Sequence, residues 1–413
     1  MSTRFFCLFI FIIFSFNAVY AGDTISIGSK DTMSSVAPDS SKERDLIELI
    51  AGAWHRYHHS EYKPKPRQFH WAVIPAAGYT LQTGFAGIIS ADVGFYTGSD
   101  QSKVSNILTS FTYSQYNQTI IPLQADIWSK NNKYDFILDW RYIDYPCTTF
   151  GIGGHTDFTD GYTIDFSSYK IHQSILRSIS PNFYAGVGYY FDYFWDISEI
   201  NPPAGVVTSF QKYGLSSTEI ASGVALRLLY DSRMNQINPQ QGYFANMVYR
   251  PNFTFMGSQN NWQSLQIDLR KYIRFPAGSR NVLAFWSFDW LTLAGKPPYL
   301  LLPSTGWDDQ YNSGRGYIQG RYRAKNMIYL ESEYRFVVSR NGLIGGVVFA
   351  NAETFTKNVA TDNVSSEYKD IAPGFGGGIR IKLNKHTGAN LCVDYGIGLD
   401  GSRGFFVNLG EVF

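Results

Sequence analysis

The sequence predicts an all-β fold: a membrane-spanning antiparallel β-barrel of about 16 strands, with a short N-terminal helix and an inward-folded loop. Three observations predict it. Side chains alternate at period two over many segments, aromatic residues make up 17% of the chain, and the long connections all fall at one end. Charged residues are also only 17% of the chain, below the ~25% of ordinary soluble domains. Aromatic girdles at the two membrane interfaces account for such a composition.

The first 21 residues are typical of an export signal. Arg4 precedes an apolar run over residues 5–16, and Val19-Tyr20-Ala21 offers small residues before a cleavage site. No later segment has the ~18 consecutive apolar residues of a transmembrane helix. We therefore expect residues 1–21 to be a signal peptide and the mature chain to reach the outer membrane of a Gram-negative bacterium.

Residues 22–69 are predicted to be a linker with a short amphipathic helix over 45–57. Apolar side chains gather on one side of that helix, namely Leu46, Ile47, Leu49, Ile50 and Trp54. The same stretch carries His55, His58 and His59, but no carboxylate or cysteine joins them at ligand spacing. The sequence therefore predicts neither a metal site nor a cofactor. A net charge of +1 does not indicate nucleic acid as a partner.

Residues 70–413 are predicted to form the transmembrane β-barrel, and the alternation is clearest over 183–195. One face carries Phe183, Ala185, Val187, Tyr189, Phe191, Tyr193 and Trp195, and the other carries Tyr184, Gly186, Gly188, Tyr190 and Asp192. An apolar face toward lipid and a small or polar face toward the lumen is the pattern of a transmembrane strand. A soluble sandwich also alternates, but it would not usually separate aromatics from glycine and charge over so many strands.

Segments of this kind number about 16, an even number as in bacterial outer-membrane barrels. They span 70–79, 83–97, 103–116, 118–129, 132–143, 161–179, 181–196, 219–231, 242–256, 262–274, 278–292, 322–338, 342–354, 371–384, 388–399 and 402–413. The long connections are 144–160, 197–218, 293–321 and 355–370, and each follows an odd-numbered segment. They therefore lie at one end, as expected for a barrel with short periplasmic turns and longer external loops.

The stretch Ser313–Arg323 stands out among the connections, because it holds three arginines and three glycines in eleven residues. A buried guanidinium needs a fixed carboxylate partner, and glycine lets one backbone segment pack closely on another. We expect this loop, with Arg315, Gly316, Tyr317 and Gly320, to fold into the barrel lumen. The alternative is a solvated basic loop on a soluble β-protein.

The segment that follows the loop offers partners for its arginine. Along 322–338, one face carries Tyr329, Glu331, Glu333 and Arg335, and the other carries Ile328, Leu330, Tyr334 and Phe336. The charged face must be lumenal, because a charge facing lipid near the midplane costs ~2–4 kcal/mol. A bidentate pair between Arg315 and one of the two glutamates would fix the loop to the wall. The alternative for Glu333 is membership of a generic lumenal charge ladder.

Four motifs occur in order over the second half of the chain. They are Tyr230-Asp231-Ser232-Arg233 with Asn238-Pro239 and Gly242, Arg315-Gly316-Tyr317, Glu333-Tyr334-Arg335-Phe336, and Asn408-Leu409-Gly410-Glu411-Val412-Phe413. They resemble, in turn, the periplasmic Asp-x-Arg…Asn-Pro…Gly turn, the inward-loop Val-Arg-Gly-Phe/Tyr signature, a Glu-Tyr-Arg-Phe strand and the aromatic C-terminal assembly signal of one superfamily. This is the BamA/TamA-type superfamily of outer-membrane assembly and translocation barrels, also called the bacterial surface antigen family. Gly314 stands where the family usually has Val.

The resemblance implies roles for individual residues. It implies Glu333 as the partner of Arg315, and it implies that Phe413, Leu409 and Val407 form the assembly signal on one outward face. Where the family has a second acidic partner for the arginine, this chain has Asn351, which accepts a hydrogen bond but brings no charge. The attachment of the loop to the wall through Arg315 is therefore weaker, or Glu353 or Asp394 supplies the second carboxylate.

The resemblance also implies a function. Family members carry periplasmic POTRA modules before the barrel, and residues 22–69 are too few for one, so we expect a barrel-only member. It would assist protein or lipid insertion into the outer membrane, or export across it, through a lateral seam between the first and last strands. The alternative is a passive channel or structural barrel without translocase activity.

No enzyme is predicted, because the chain lacks a Gly-x-Ser-x-Gly elbow. The stretch Gly153-Gly154-His155-Thr156-Asp157 lies in a long loop without a nucleophile elbow. The expected partners are outer-membrane lipids, with periplasmic recruiting proteins, substrate outer-membrane proteins and a second copy of the chain left open.

Overall fold

The computed structural model describes residues 43–46, 70–98, 103–356, 368–385 and 388–413. The predicted signal peptide lies outside these residues, as does most of the predicted helix 45–57, of which Leu46 is described and helical. Over the described ranges, no helix has the length and apolar character needed to cross a membrane.

The described residues form one antiparallel sheet of 17 strands. The strands are β1 His70–Thr80, β2 Gly84–Phe95, β3 Ser105–Ser114, β4 Thr119–Trp128, β5 Tyr134–Asp144, β6 Cys147–Thr149, β7 Tyr162–Ser180, β8 Phe183–Ile200, β9 Glu219–Asp231, β10 Gly242–Asn252, β11 Trp262–Arg274, β12 Val282–Gly295, β13 Asn326–Val337, β14 Ile344–Thr356, β15 Tyr368–Lys382, β16 Asn390–Ile397 and β17 Arg403–Leu409. A short helix, Ser209–Gly214, lies in the loop between β8 and β9. The predicted fold class, an all-β barrel, is confirmed.

The predicted segments correspond one to one with the strands, apart from the three-residue β6, which pairs only with β7. Five boundaries differ from the prediction by four residues: the ends of β8, β10 and β17 and the starts of β12 and β13. Two of them have a clear local cause. The segment 322–338 begins as β13 only at Asn326, because Tyr322 and Arg323 belong to the inward loop. The segment 242–256 ends as β10 at Asn252, because the chain turns into a 3₁₀ helix at Thr254–Met256.

The wall closes by pairing of each strand with its neighbours in sequence, with β5 paired to β7 across the small β6. The exception is the junction between the first and last strands. β17 lies beside β1, yet in the part of the chain that the structure describes no ladder of strand pairs joins the two. The barrel is therefore nearly closed, with one seam.

The two faces of the wall separate as the alternation predicts. On β13, Leu330 points outward and is 54% exposed, whereas its neighbours Tyr329 and Glu331 are buried in the lumen. On β8, Tyr184 and Asp192 are buried inside while Val187 lies exposed outside. The charged face of β13 is thus lumenal, as expected from the cost of exposing charge to lipid.

The connections differ between the two ends of the barrel. At one end, here the long-loop end, lie residues 145–161, 201–218 and 296–325; at the other, the short-turn end, lie turns such as 181–182 and 338–343. The loop 296–325 between β12 and β13 folds into the lumen. There Tyr317, Tyr322 and Ala324 pack with Trp286 and Tyr329 of the wall in one buried aromatic cluster. This side of the lumen is filled by side chains.

The end of the chain corrects one prediction. Phe413 was expected on the outward face, but it is 3% exposed inside the lumen, packed 5.2 Å from Trp286 and 6.2 Å from Tyr272 between ring centroids. β17 ends at Leu409, and Gly410 adopts φ 86°, which turns the chain inward. Because the strand stops there, the outward alternation cannot extend to residue 413.

Candidate functional site: the inward loop and its charge network

The inward loop reaches the wall because it has glycine at the points of closest approach. Gly314 and Gly316 have φ of 77° and 112°, a left-handed region that other residues rarely adopt. A Cβ on Gly316 would lie 2.9 Å from the carbonyl carbon of Ile397, and one on Gly320 would lie 2.6 Å from the carbonyl oxygen of Thr148. The backbone therefore touches β16 on one side and β6 on the other.

Arg315 is the centre of the site and is 1% exposed. Its Nη1 donates to Asp394 Oδ2 at 2.6 Å, and its Nη2 donates to carboxylate oxygens of both Glu331 and Glu333. The guanidinium plane lies over the ring of Phe349, with its carbon 3.7 Å from the ring centroid. A fully desolvated guanidinium is thus surrounded by three carboxylates and an aromatic face, the geometry that suits arginine rather than lysine.

Two further arginines extend the network along the wall. Arg335 donates from Nε to Glu333 at 2.6 Å. Arg380 donates to Asp394 at 2.5 Å and to Glu411 at 2.8 Å. Three guanidinium groups and four carboxylates are therefore joined in one buried cluster from β13 to the residues after β17. Each buried charge has an opposite partner, as burial requires.

The structure places the four proposed partners of Arg315 differently. Glu333 and Asp394 contact its guanidinium, and Glu331 does so as well. Asn351 does not accept from the guanidinium; its Nδ2 donates to the backbone carbonyl of Arg315 at 2.9 Å. Glu353 accepts instead from Thr305 Oγ1 at 2.9 Å. The carboxylate that joins Glu331 and Glu333 at the guanidinium is therefore Asp394, from β16.

Tyr317 anchors the loop on the other side of the glycines. Its hydroxyl donates to the carbonyl of Pro373 at 2.6 Å and accepts from the backbone N–H of Leu399 at 3.0 Å. A Cβ on Gly398 would lie 2.5 Å from the tyrosine ring, and one on Gly374 would lie 2.7 Å from the carbonyl oxygen of Arg315. Gly374 and Gly398 thus make room for the loop. Gly376 and Gly378 differ, since they accommodate the side chains of Phe349 and Asp394.

The remaining two arginines of the loop are also buried, but their partners differ from those of Arg315. Arg321 donates to the hydroxyl and carbonyl of Thr156 at 2.9 and 2.8 Å, and lies 3.5 Å from the exposed carboxylate of Asp400. Arg323 donates to the carbonyl of Tyr299 at 2.9 Å and stacks near its ring. Backbone carbonyls and aromatic rings therefore take part of the role that the sequence assigns to carboxylates.

The predicted turn motif between β9 and β10 lies at the short-turn end. The guanidinium of Arg233 forms a bidentate pair with Asp231 at 2.9 Å for each bond, Pro239 is buried, and Gly242 has φ 112°. Asn238 Nδ2 donates to the carbonyl of Gly388 at 3.0 Å, in the turn between β15 and β16. The motif is thus a folded turn that reaches toward another turn at the rim.

The predicted assembly-signal residues are split between two environments. Val407 pairs with Val393, and Leu409, which is 62% exposed, faces outward on β17. Phe413 is inside, where its carbonyl oxygen accepts from Arg335 Nη2 at 2.9 Å. Sequence reasoning missed this lumenal role; the signal that could have indicated it is Gly410 followed by Glu411, a charge at an outward position of the expected strand.

The contacts of the site are hydrogen bonds and ion pairs that hold the loop against the wall. Across the described ranges, no group of three or more His, Cys, Asp or Glu residues is arranged to hold a metal ion. The arrangement fixes the backbone of the inward loop to β13 and β16 by charge-assisted hydrogen bonds.

Comparison with known proteins finds relatives by structure and none by sequence. No family model matches the chain, and no curated protein matches it by sequence. Among solved structures, BamA from Haemophilus ducreyi lacking POTRA domains 1–3 superposes with a TM-score of 0.54 at 13% identity, covering 82% of this chain and 68% of that one. The barrel has the BamA-type fold.

Two structures of CdiB agree with this BamA-type fold. CdiB from Acinetobacter baumannii gives a TM-score of 0.51 at 12% identity, and CdiB from Escherichia coli gives 0.54 at 10% identity. They cover 83% and 84% of this chain, which in turn spans 60% and 63% of their length. At such identities the likeness establishes the BamA-type architecture alone, so activity has to be argued from the site.

Proposed function

We propose that this BamA-type barrel lies in the outer membrane of a Gram-negative bacterium and assists the insertion of proteins or lipids into that membrane, or their export across it, through its seam. The observation that carries the proposal is the unpaired junction of β17 and β1. Strand edges inside a bilayer are costly because lipid cannot satisfy free N–H and C=O groups. An edge of this kind favours the addition of an incoming strand.

The dimensions of β17 strengthen the argument. It has seven residues, whereas β1 has 11 and β15 has 15. A short terminal strand offers few hydrogen bonds to a partner strand, so the free-energy difference between a closed and an open seam is small. A short edge strand also limits unwanted pairing with other chains while no strand is being added.

The side chains that fill one side of the lumen argue against a wide passive channel. The inward loop packs Tyr317 and Tyr322 against Trp286 and Tyr329, and Phe413 packs against Trp286 in the same cluster. A solute path on this side of the lumen would require the loop to move. The proposal includes no enzymatic role, and its partners are outer-membrane lipids together with periplasmic recruiting proteins or substrate outer-membrane proteins.

The test is depletion of the protein followed by quantitative outer-membrane proteomics. We expect a defined set of barrels or surface proteins to fall in abundance, and expression of the wild-type chain to restore them. Unchanged levels of every other outer-membrane protein would refute the proposal. A large, steady conductance of the purified barrel in planar bilayers would favour the passive channel instead.

A further inference from the structure

The inward loop contacts two separate sectors of the barrel wall. Arg315 is bound to β13 and β16, as described above. Asp309, six residues earlier in the same loop, is bound to β5 and β7. The strands β8–β12 lie between these sectors on one side, and the seam lies between them on the other, with β17 and β1–β4.

The contact of Asp309 is an ion pair supported by the loop backbone. Lys170 Nζ on β7 lies 3.0 Å from the Asp309 carboxylate and 2.8 Å from Asp139 on β5. Arg141 Nη2 on β5 donates to the backbone carbonyl of Asp309 at 2.9 Å, and its guanidinium lies over the ring of Tyr311. Both cations are therefore shared between the wall carboxylate and the loop.

The residues between the two anchors form a stiff link. The buried carboxylate of Asp308 accepts hydrogen bonds from the backbone N–H groups of Gln310, Asn312 and Ser313 at 3.1, 2.9 and 2.7 Å. One side chain thus holds the turn between the anchors in a single shape, as Asp side chains do in turns. A displacement of one anchor is consequently transmitted to the other.

The two anchors differ in their access to water. The Arg315 guanidinium is 1% exposed, whereas the Asp309 side chain is 66% exposed. An exposed ion pair is weak and is screened by salt, while separating a buried one leaves uncompensated charge. The Asp309–Lys170 ion pair is therefore easier to break than the contacts of Arg315, while Arg141, whose side chain is 4% exposed, guides the loop back through its bond to the Asp309 carbonyl.

We propose that Asp309 is a releasable latch, which holds the sector of β5 and β7 to the loop fixed on β13 and β16 and so limits opening of the seam. The inference rests on the proposed function, since that function requires the seam to open. Separating β1 from β17 moves the strands on one side of the seam away from those on the other. The latch joins these two groups across the lumen, so it resists that motion until it is released.

The test measures the seam directly in the full chain. Spin labels on cysteines introduced into β1 and β17 report the distance distribution across the seam, in nanodiscs of phosphatidylethanolamine and phosphatidylglycerol. Asp309→Asn should raise the open fraction about two- to fivefold, the range that an exposed ion pair supplies. Raising the salt concentration should increase the open fraction of the wild-type chain and leave that of the variant nearly unchanged.

Asp400→Asn is the matched control. Its carboxylate is similarly exposed, at 62%, and also faces a loop arginine, Arg321, but it lies between β16 and β17 and does not reach β5 or β7. It should behave like the wild-type chain. Equal opening of the seam in the wild-type chain and in Asp309→Asn would overturn the latch while leaving the proposed function standing. A seam that stays closed in every variant and at every salt concentration would overturn both.

Discussion

The side-chain amide of Asn351 donates a 2.9 Å hydrogen bond to the backbone carbonyl oxygen of Arg315, the residue whose guanidinium it was expected to contact. The two residues are thus joined through the loop backbone, and the guanidinium has its own set of three carboxylates. This geometry explains why asparagine suits position 351. Its amide donates a hydrogen bond to the loop backbone, which a carboxylate could not do.

The first prediction therefore concerns Asn351→Asp. The substitution restores the residue that the family resemblance leads one to expect, yet it removes the donor to the Arg315 carbonyl and adds a carboxylate to a cluster that already has four. We expect the free energy of unfolding to fall by about 1–3 kcal/mol, the cost of leaving a buried polar group unpaired. Urea titration of the barrel in detergent, followed by heat-shift gels, measures it.

Asn351→Ala is the companion variant, because it removes the donor without adding charge. It should destabilise less than Asn351→Asp. If the Asn351→Asp variant proved as stable as the wild type, the new carboxylate would have to reach the guanidinium. The assignment of Asp394 as the carboxylate that completes the set around Arg315 would then be wrong.

The second prediction concerns Arg315→Ala. Removal of the guanidinium leaves Glu331, Glu333 and Asp394 facing one another in a buried site, and breaking a buried ion pair in this way costs about 3–5 kcal/mol. We expect the folded band on unheated gels to disappear at a distinctly lower temperature. Arg340→Ala, at an exposed residue of the turn between β13 and β14, should leave that temperature unchanged. Equal thermal stability of both variants would mean that the cluster does not fix the loop.

These residues also show how far the sequence can predict the structure. The strands follow from period-two alternation, which is a local property, and so does the lumenal face of β13 that carries Glu331 and Glu333. The contribution of Asp394 depends on β16 lying close to the loop tip, and that follows from the register of β13 through β16, which is not local. The donor role of Asn351 depends on the path of the loop backbone, which residue type alone does not determine.

Phe413 shows a different limit. Its predicted outward position followed from counting alternate residues from Phe405 through Leu409, and that count holds only while the chain remains a strand. Gly410 leaves the strand at φ 86°, and Glu411 then pairs with Arg380 inside the lumen. Tertiary partners for the last three residues, rather than strand periodicity, decide where the aromatic ring lies.

The third prediction follows from that position. Phe413→Ala should destabilise the folded barrel by about 3–5 kcal/mol, because it removes a buried ring from Trp286 and Tyr272 and leaves a cavity. Leu409→Ala, at an outward and exposed position, should cost far less. The measurement is made on protein refolded from urea into detergent, where no assembly machinery takes part. If Phe413 served only as an assembly signal, the refolded variant would be as stable as the wild type.

The fourth prediction separates close packing from backbone strain at the loop. Gly316 has φ 112°, and an added Cβ would meet the backbone of Ile397 at 2.9 Å and that of Gly398 at 3.1 Å. Gly257 has a similar φ of 101°, with nothing within 4 Å of its Cβ position. In both Gly→Ala variants the left-handed conformation should lower the free energy of unfolding by about 1 kcal/mol.

Only Gly316→Ala is destabilised further, because its methyl group pushes the loop away from β16. Because backbone cannot yield as a flexible side chain does, we expect the tip to move and the hydrogen bond from Arg315 to Asp394 to lengthen or break. Gly316→Ala should therefore be less stable than Gly257→Ala, and the difference should be smaller than the loss caused by Arg315→Ala. In the double variant Gly316→Ala/Arg315→Ala the two losses should be less than additive, because both act on one contact. Full additivity would show that Gly316 matters only through its own backbone conformation, and that its approach to β16 does not position the arginine.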